Sequence, residues 1–528
     1  MSGSKNFKNL QDFSRRKKTK SRLAAALPVT ALALALGALS VAAIAFFYSR
    51  GELLCYGDAA AHVNIARRII DSRTPGWEQI GTVWLPLPHL LMVPFVRNDW
   101  MWQTGLAGAI PSGLCFVLGG IFLFLAARRV FASGAAAVAA CLLVALNPNL
   151  LYLQSLPMTE AVFLAALAAL LYFTVRYQQE QSLWCAAAAG VAALAGSLTR
   201  YEGWFVIPFT AVYFLLASKR RRWLAPLIFS LIAAAGPLWW LAHNWWYFGN
   251  ALEFYNGPHS AKAINQRAME AGMAPYPGDH EWGKAFFYFR SAVVVFAGLP
   301  LVWIAAAGAL AAAVRRAFWP LVLLALPPVF YVMSIYSSGT PIFLPHLWPN
   351  SYYNTRYAMA ALPLLAIAGG ALVSLVPARL RTFAVVAVIL AASAPWLLAP
   401  QPENWICWKE SQVNSEARRA WTREAAEFLR AHRRPGDGFF TSFGDLTAIF
   451  QQAGIPLRDT LNDCNELHWT AAVLRPDLFL WEQWAVVQSG DAVATAIERT
   501  WKTGPRYDCV KTIAVKGAPV INIYRRVS

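Results

Sequence analysis

Charge is what this chain has least of. Asp, Glu, Lys and Arg make up 14% of its 528 residues against 57% hydrophobic ones, whereas an ordinary soluble domain carries about 25% charged residues. That ratio excludes a soluble globular protein and points to a polytopic membrane protein. Acid is scarcer than base, with 28 Asp and Glu facing 46 Lys and Arg for a net charge of +18. In a soluble chain such an excess would suggest a nucleic-acid partner, but here the cations gather at the ends of apolar runs. Seven Cys are present. Residues 400–528 contain no metal-spaced Cys/His set, no glycine-rich phosphate loop and no internal repeat, which removes the commonest zinc and nucleotide readings for that part.

Apolar runs are what the chain has in place of charge. The first 22 residues hold eight bases (Lys5, Lys8, Arg15, Arg16, Lys17, Lys18, Lys20 and Arg22) against one acid, which reads as a cytosolic basic tail. The run Leu23 to Tyr48 that follows, of 26 residues, exceeds the roughly 7–15 of a signal-peptide core and reads as a retained helix. Ten more runs follow before Ala399, the eighth of the series being Ser291 to Val314, so about 11 transmembrane helices are expected over residues 23–399. With the tail inside, the inner connections carry Arg128, Arg129, Arg176, Lys219, Arg220, Arg221, Arg222, Arg315, Arg316, Arg379 and Arg381 against one acid, Glu180. The other eleven acids of the span region all fall outside. This asymmetry is the positive-inside pattern and places the chain in an inner or plasma membrane with a cytosolic N-terminus.

Residues 400–528 carry 16 bases and 15 acids and no further membrane-length run, so an extracytoplasmic soluble α/β domain is expected there. Ser411 to Ala431 reads as a polar helix, "DGFFTSFG" and "DLFLWEQW" as strand regions, Ala492 to Trp501 as a helix, and "CVKTIAV" with "VINIYRR" as a closing strand pair. On the outer side, Cys464 with Cys509 is the first disulfide to expect, although Cys55, Cys407, Cys464 and Cys509 allow three complete pairings.

The outer connections are long, and the acids that need explaining sit in them. In the first, residues 49–101, "CYGDAAAHVNIARRIID" has helical spacing, with Arg67 and Arg68 expected at the headgroup level, and "VWLPLPHLLMVPFV" reads as a second surface helix. Asp58 stands where an N-cap would, and a carboxylate can cap with one oxygen while the other does chemistry. His62 shares its helix face. "QSLPMTE" puts Glu160 at the outer mouth of a helix, either as a first-turn acid or as a second functional carboxylate. "LTRYEGW" brings Arg200 and Glu202 together as an ion pair or as a phosphate anchor. "YYNTRYAM" supplies Asn354 and Arg356, and the loop before the eighth run supplies His259 and Lys262. One polar cleft for an anionic lipid headgroup and a hydrophilic partner accounts for all of them.

The order of "GDAAAH", "SLPMTE", "LTRYEGW" and "NTRY" along residues 20–400 resembles the GT-C superfamily of integral-membrane glycosyltransferases, nearest the bacterial protein O-mannosyltransferase and aminoarabinose-transferase members. The resemblance implies transfer of a sugar from a polyprenyl-phosphate donor to a protein, lipid or glycan acceptor on the extracytoplasmic side. It makes Asp58 the first-loop catalytic acid and Glu160 the second, with Arg200, Arg356, His259 and Lys262 as candidate phosphate ligands. Many relatives carry paired acids in the first loop, whereas Ala59 and Ala60 follow Asp58 here. That departure disfavours a divalent metal, which wants several oxygen ligands, without excluding one, and the sequence points to no other cofactor. An inverting displacement with Asp58 as base is the reading. The alternatives are a metal-dependent oligosaccharyl- or lipid-diphosphate-using transferase and a non-catalytic polyprenyl-lipid-binding protein. Trp239, Trp240, Trp245 and Trp246 read as an interfacial belt rather than a sugar platform.

Overall fold

The computed structural model describes residues 29–220, 222–500 and 504–527, so the basic tail 1–22 and Trp501 lie outside the described residues. Seven helices are long and apolar enough to cross a membrane: Val29–Ser49, Leu106–Phe131, Glu160–Glu180, Leu224–Phe248, Trp319–Tyr336, Thr355–Leu375 and Ala378–Leu398. The Trp282–Ala297 and Leu299–Val314 helices form one bent pair that raises the number to eight. Gly134–Ala145, Leu183–Ser197 and Glu202–Ala217 are apolar but shorter. Every run read from the sequence is therefore helical among the described residues, but length and composition support seven or eight spans where eleven were expected.

The eighth run differs most from expectation. It is two helices bent by 106°, because Gly298 takes φ 81° and Pro300 in the next turn has no N–H to continue the ladder. The bend frees a carbonyl in an apolar setting, which would be costly unless paired. Asn147 and Asn149 both donate side-chain amides to Phe296 O at 3.0 Å.

The first long connection folds back into the protein. The Gly57–Arg68 and Leu87–Val96 helices appear as expected, but Arg67 and Arg68 are buried, at 6% and 7% exposure. Arg67 pairs with Asp71 at 2.7 Å and Asp99 at 2.8 Å, and Arg68 donates to Gln79 O and to Cys464 Sγ. Arg67 braces the loop internally and Arg68 ties it to the C-terminal part, so neither reaches a lipid headgroup.

Residues 406–527 supply one long helix and a five-stranded sheet. The strands are β1 (Phe439–Thr441), β2 (Thr460–Leu461), β3 (Trp484–Gln488), β4 (Tyr507–Ile513) and β5 (Ile521–Arg526), in the order β2-β1-β3-β5-β4. β1 runs parallel to both β2 and β3, while β5 is antiparallel to β3 and to β4. Part of "DLFLWEQW" is a helical turn, Pro476–Phe479, and the strand begins only at Trp484. No disulfide is present and all seven cysteines are free. Cys464 is turned inward against Arg68 while Cys509 lies exposed on the edge strand β4, so the expected bridge does not form.

The Ile406–His432 helix joins the two parts. Its first turn, Ile406, Cys407 and Trp408, is buried in the core of the apolar bundle. Farther along, Trp421, Ala425 and Leu429 pack with Val63, Ala66 and Trp102 of the first connection and with Phe439 and Trp484 of the sheet.

Candidate active site

Four stretches far apart in sequence meet at the loop-bearing end of the bundle. Asp58 lies in the first turn of the Gly57–Arg68 helix, whose N-cap is Tyr56 with no side-chain cap bond, so Asp58 is not the cap the sequence suggests. Its Oδ2 accepts from Arg356 Nη2 at 2.5 Å. Gly57 leaves room beside it for Arg418. A Cβ there would stand 2.9 Å from Arg418 Nη1, whose guanidinium also donates to Cys55 O at 2.5 Å and holds the start of this helix in place.

Glu160 opens the Glu160–Glu180 helix, preceded by Pro157, which packs so tightly on Gly108 of the Leu106–Phe131 helix that no side chain would fit there. The Glu160 carboxylate is 1% exposed and lies between two guanidiniums, with Oε1 3.1 Å from Arg200 Nη1 and 3.3 Å from Arg356 Nε. The second approach is an ion pair rather than a hydrogen bond, since Arg356 Nε has no hydrogen-bond partner.

Arg200 is saturated by its neighbours. Nε donates to Glu202 Oε1 at 2.5 Å, Nη1 to Thr159 Oγ1 at 2.5 Å, and Nη2 to the Tyr331 hydroxyl. Tyr331 in turn donates to Glu202 Oε1 at 2.9 Å. Tyr357 stacks on Tyr331 with ring centroids 4.9 Å apart and lies 5.3 Å and 5.1 Å from the Arg200 and Arg356 guanidinium carbons. Tyr56 lies 5.3 Å from Arg356 on another side. Aromatic faces thus share the cost of burying two cations, and three carboxylates oppose them.

Exposure separates the roles within this cluster. The side chains of Glu160, Glu202, Arg356 and Arg200 are 1%, 4%, 8% and 11% exposed, whereas Asp58 is 35% exposed. Asp58 is the one carboxylate of the cluster open to a reactant. Arg356 is the guanidinium with N–H capacity left over, and Arg200 has almost none.

The remaining candidates divide. His62 is buried four residues from Asp58, with Nδ1 2.8 Å from Nε2 of His89, a partner the sequence did not single out. Burial first, then the charges of Arg356 and Arg200, lowers the His62 pKa to about 3, so it is neutral at ordinary pH. Asn354 supports the turn, donating its side-chain amide to Pro341 O at 2.9 Å. His259 and Lys262 do not join the cluster. Both are exposed, and Lys262 lies against Tyr255 in its own loop, 5.4 Å from the ring centroid. Among the described residues no three His, Cys, Asp or Glu side chains group to hold a metal ion. The acids that do approach one another are bridged by guanidiniums, whose charge opposes a dication, so the cluster does not fit a metal.

The sequence profile of dolichyl-phosphate-mannose-protein mannosyltransferases matches residues 101–247. Among curated proteins none matches significantly. The fold is similar to that of ArnT from Cupriavidus metallidurans bound to undecaprenyl phosphate, with a TM-score of 0.55 at 15% identity over 92% of this chain and 97% of that one. Against ArnT from the same organism in the apo state the TM-score is 0.53 at 16% identity, over 88% of this chain and 93% of that one. This multi-pass membrane protein therefore has the fold of ArnT, in keeping with the resemblance to GT-C integral-membrane glycosyltransferases that the order of its motifs implied.

Proposed function

We propose that this protein is an inverting glycosyltransferase that moves a sugar from a polyprenyl-phosphate donor to a hydroxyl acceptor on the extracytoplasmic side of the membrane. The observation that carries the reading is the Asp58–Arg356 pair: a partly open carboxylate held 2.5 Å from a buried guanidinium, at the end of the bundle where the loops gather.

A sugar phosphodiester already has a stable anionic leaving group. The site therefore needs a base for the acceptor proton and a cation for the departing phosphate. The acceptor oxygen attacks the anomeric carbon as its proton passes to Asp58, the bond from that carbon to the phosphate oxygen breaks, and polyprenyl phosphate leaves. Attack opposite the leaving group inverts the anomeric centre.

Proton transfer and phosphate release are coupled through one residue. When Asp58 takes the proton it loses the charge that holds Arg356, and the guanidinium is freed toward the phosphate as negative charge builds there. Glu160 and Glu202 hold the two arginines in place without touching the reactants. ArnT, whose fold this chain shares, has been captured with undecaprenyl phosphate, which supports the choice of donor lipid.

The test is single-turnover transfer by the protein in lipid nanodiscs, using radiolabelled hexoses and pentoses linked to undecaprenyl phosphate and a panel of hydroxyl acceptors, with the product anomer read by NMR. Transfer with inverted configuration is the expected result. Retained configuration would remove direct displacement, and tight undecaprenyl-phosphate binding with no transfer to any acceptor would leave a lipid-binding protein instead.

A further inference from the structure

Arg356 is held in place from outside the bundle. It is the second residue of a 3₁₀ helix, Thr355–Ala361, that follows Asn354 in a left-handed conformation with φ 56° and ψ 24°. A left-handed residue with a side chain costs about 1–2 kcal/mol, and the first N–H groups of a short helix have no partners of their own. One carboxylate supplies both needs. Glu410 Oε1 accepts Asn354 N–H at 2.9 Å, and Oε2 accepts Thr355 N–H at 2.9 Å and the Thr355 hydroxyl at 2.5 Å.

Glu410 lies in the first turns of the Ile406–His432 helix and is 2% exposed. Its hydrogen-bond partners are all donors of this one turn; the nearby Arg356 charge also favours the ionised carboxylate, although no direct ion pair joins them. A helix that merely packed here would carry an apolar residue, because an unpaired buried carboxylate is expensive. Of the common side chains, only an ionised Asp or Glu presents two oxygens that both accept, and three donors on two adjacent residues call for that.

We infer that Glu410 is a positioning residue: from the C-terminal helix it locks the Asn354–Thr355 turn, and so sets where the Arg356 guanidinium meets the donor phosphate. The inference rests on the phosphate-binding role given to Arg356 above. It also gives the segment after the last span a task in the site, since its leading helix holds the turn while Arg418 of the same helix holds the start of the Asp58 helix.

The test is a double-mutant cycle read by undecaprenyl-phosphate binding to the full-length protein in nanodiscs, with thermal unfolding measured alongside. Glu410→Gln keeps the shape but faces at least one N–H with another N–H. A misaimed guanidinium gives up a charge-assisted hydrogen bond to the phosphate, a loss on the order of tenfold or more in affinity, so binding about tenfold weaker is expected. In an Arg356→Lys background the same change should cost less than about twofold, because there is no fork left to aim. Thr355→Val, which removes one of the three donors and leaves both helices intact, should weaken binding less and in the same direction, and it keeps the test readable if Glu410→Gln unfolds. An equal loss in both backgrounds, or unchanged binding by Glu410→Gln or Thr355→Val, overturns the inference while leaving the function intact. Unchanged binding by Arg356→Lys alone overturns the phosphate role of Arg356 and the inference with it.

Discussion

Replacing Glu160 by Gln would remove one negative charge from the place where two guanidiniums meet out of reach of water. Its carboxylate lies 3.1 Å from Arg200 and 3.3 Å from Arg356 and is 1% exposed. Deleting one partner of a buried ion pair costs about 3–5 kcal/mol where the other charge is left uncompensated; Glu202 still faces Arg200 and Asp58 still faces Arg356, so the cost here is set at the lower end, about 3 kcal/mol. Asp58 also faces Arg356, but its side chain is 35% exposed, and Glu160 remains to oppose the cation when Asp58 is neutralised. Screened and partly hydrated pairs of that kind are worth about 1 kcal/mol or less. Glu160→Gln should therefore destabilise the protein by about 2 kcal/mol more than Asp58→Asn, while Asp58→Asn does the greater damage to turnover per folded molecule. Thermal unfolding in detergent, with transfer normalised to folded protein, separates the two effects. A Glu160→Gln variant as stable as wild type but inactive would refute the reasoning and return Glu160 to the catalytic role that its place in the sequence implied.

The buried imidazole should appear in the pH dependence of stability. His62 is held down to about 3 against roughly 6.5 in an unfolded chain. On acidification the unfolded state takes up a proton that the folded state refuses until about pH 3. Stability is therefore full above about pH 6.5 and falls by about 1.4 kcal/mol per unit below it, roughly 2 kcal/mol by pH 5. His62→Asn should reduce that slope in melts at pH 7 and pH 5 without abolishing it, because burial also holds the neighbouring His89 low, and an unchanged slope would count against it. Arg200→Lys should cost about 3 kcal/mol or more in the same unfolding assay, since one ammonium cannot replace a fork bonded to Glu202, Thr159 and Tyr331; wild-type stability would show that the fork is not needed. A membrane-impermeant maleimide added to intact cells should label Cys509, which is exposed, faster than Cys464, which is half-buried with its thiol pushed up to about 12. Protection of Cys509 in cells but not after lysis would place the C-terminal part on the cytosolic side, and a 464–509 disulfide found by mass spectrometry would contradict the free thiols.

Segments whose environment is local were legible in the sequence. The apolar runs became helices, although the eighth is broken in two, and the "CVKTIAV" and "VINIYRR" stretches became paired strands; the cluster of Asp58, Glu160, Arg200, Glu202 and Arg356 was legible only because uncompensated charge beside a membrane stands out. Features set by tertiary contact were not legible. Arg67 and Arg68 look like headgroup cations until Asp71, Asp99 and Cys464 are folded against them. Tyr331 is one aromatic in an apolar helix and carries no sign that its hydroxyl will meet Arg200. Glu410 stands among the many polar residues of an amphipathic helix, and only the fold shows that its carboxylate reaches residues 354 and 355. His259 and Lys262 erred the other way, because a charged loop near a site in sequence need not reach it in space.

The central claim is that Asp58 takes the acceptor proton while Arg356 holds the phosphate. The most direct measurement is kcat for sugar transfer by Asp58→Asn in nanodiscs, with undecaprenyl-phosphate affinity determined on the same sample. Loss of a positioned general base should lower kcat by about 10²–10⁴-fold while lipid affinity holds or rises, because a neutral side chain no longer competes with the phosphate for Arg356, and turnover close to that of the wild type would contradict the account.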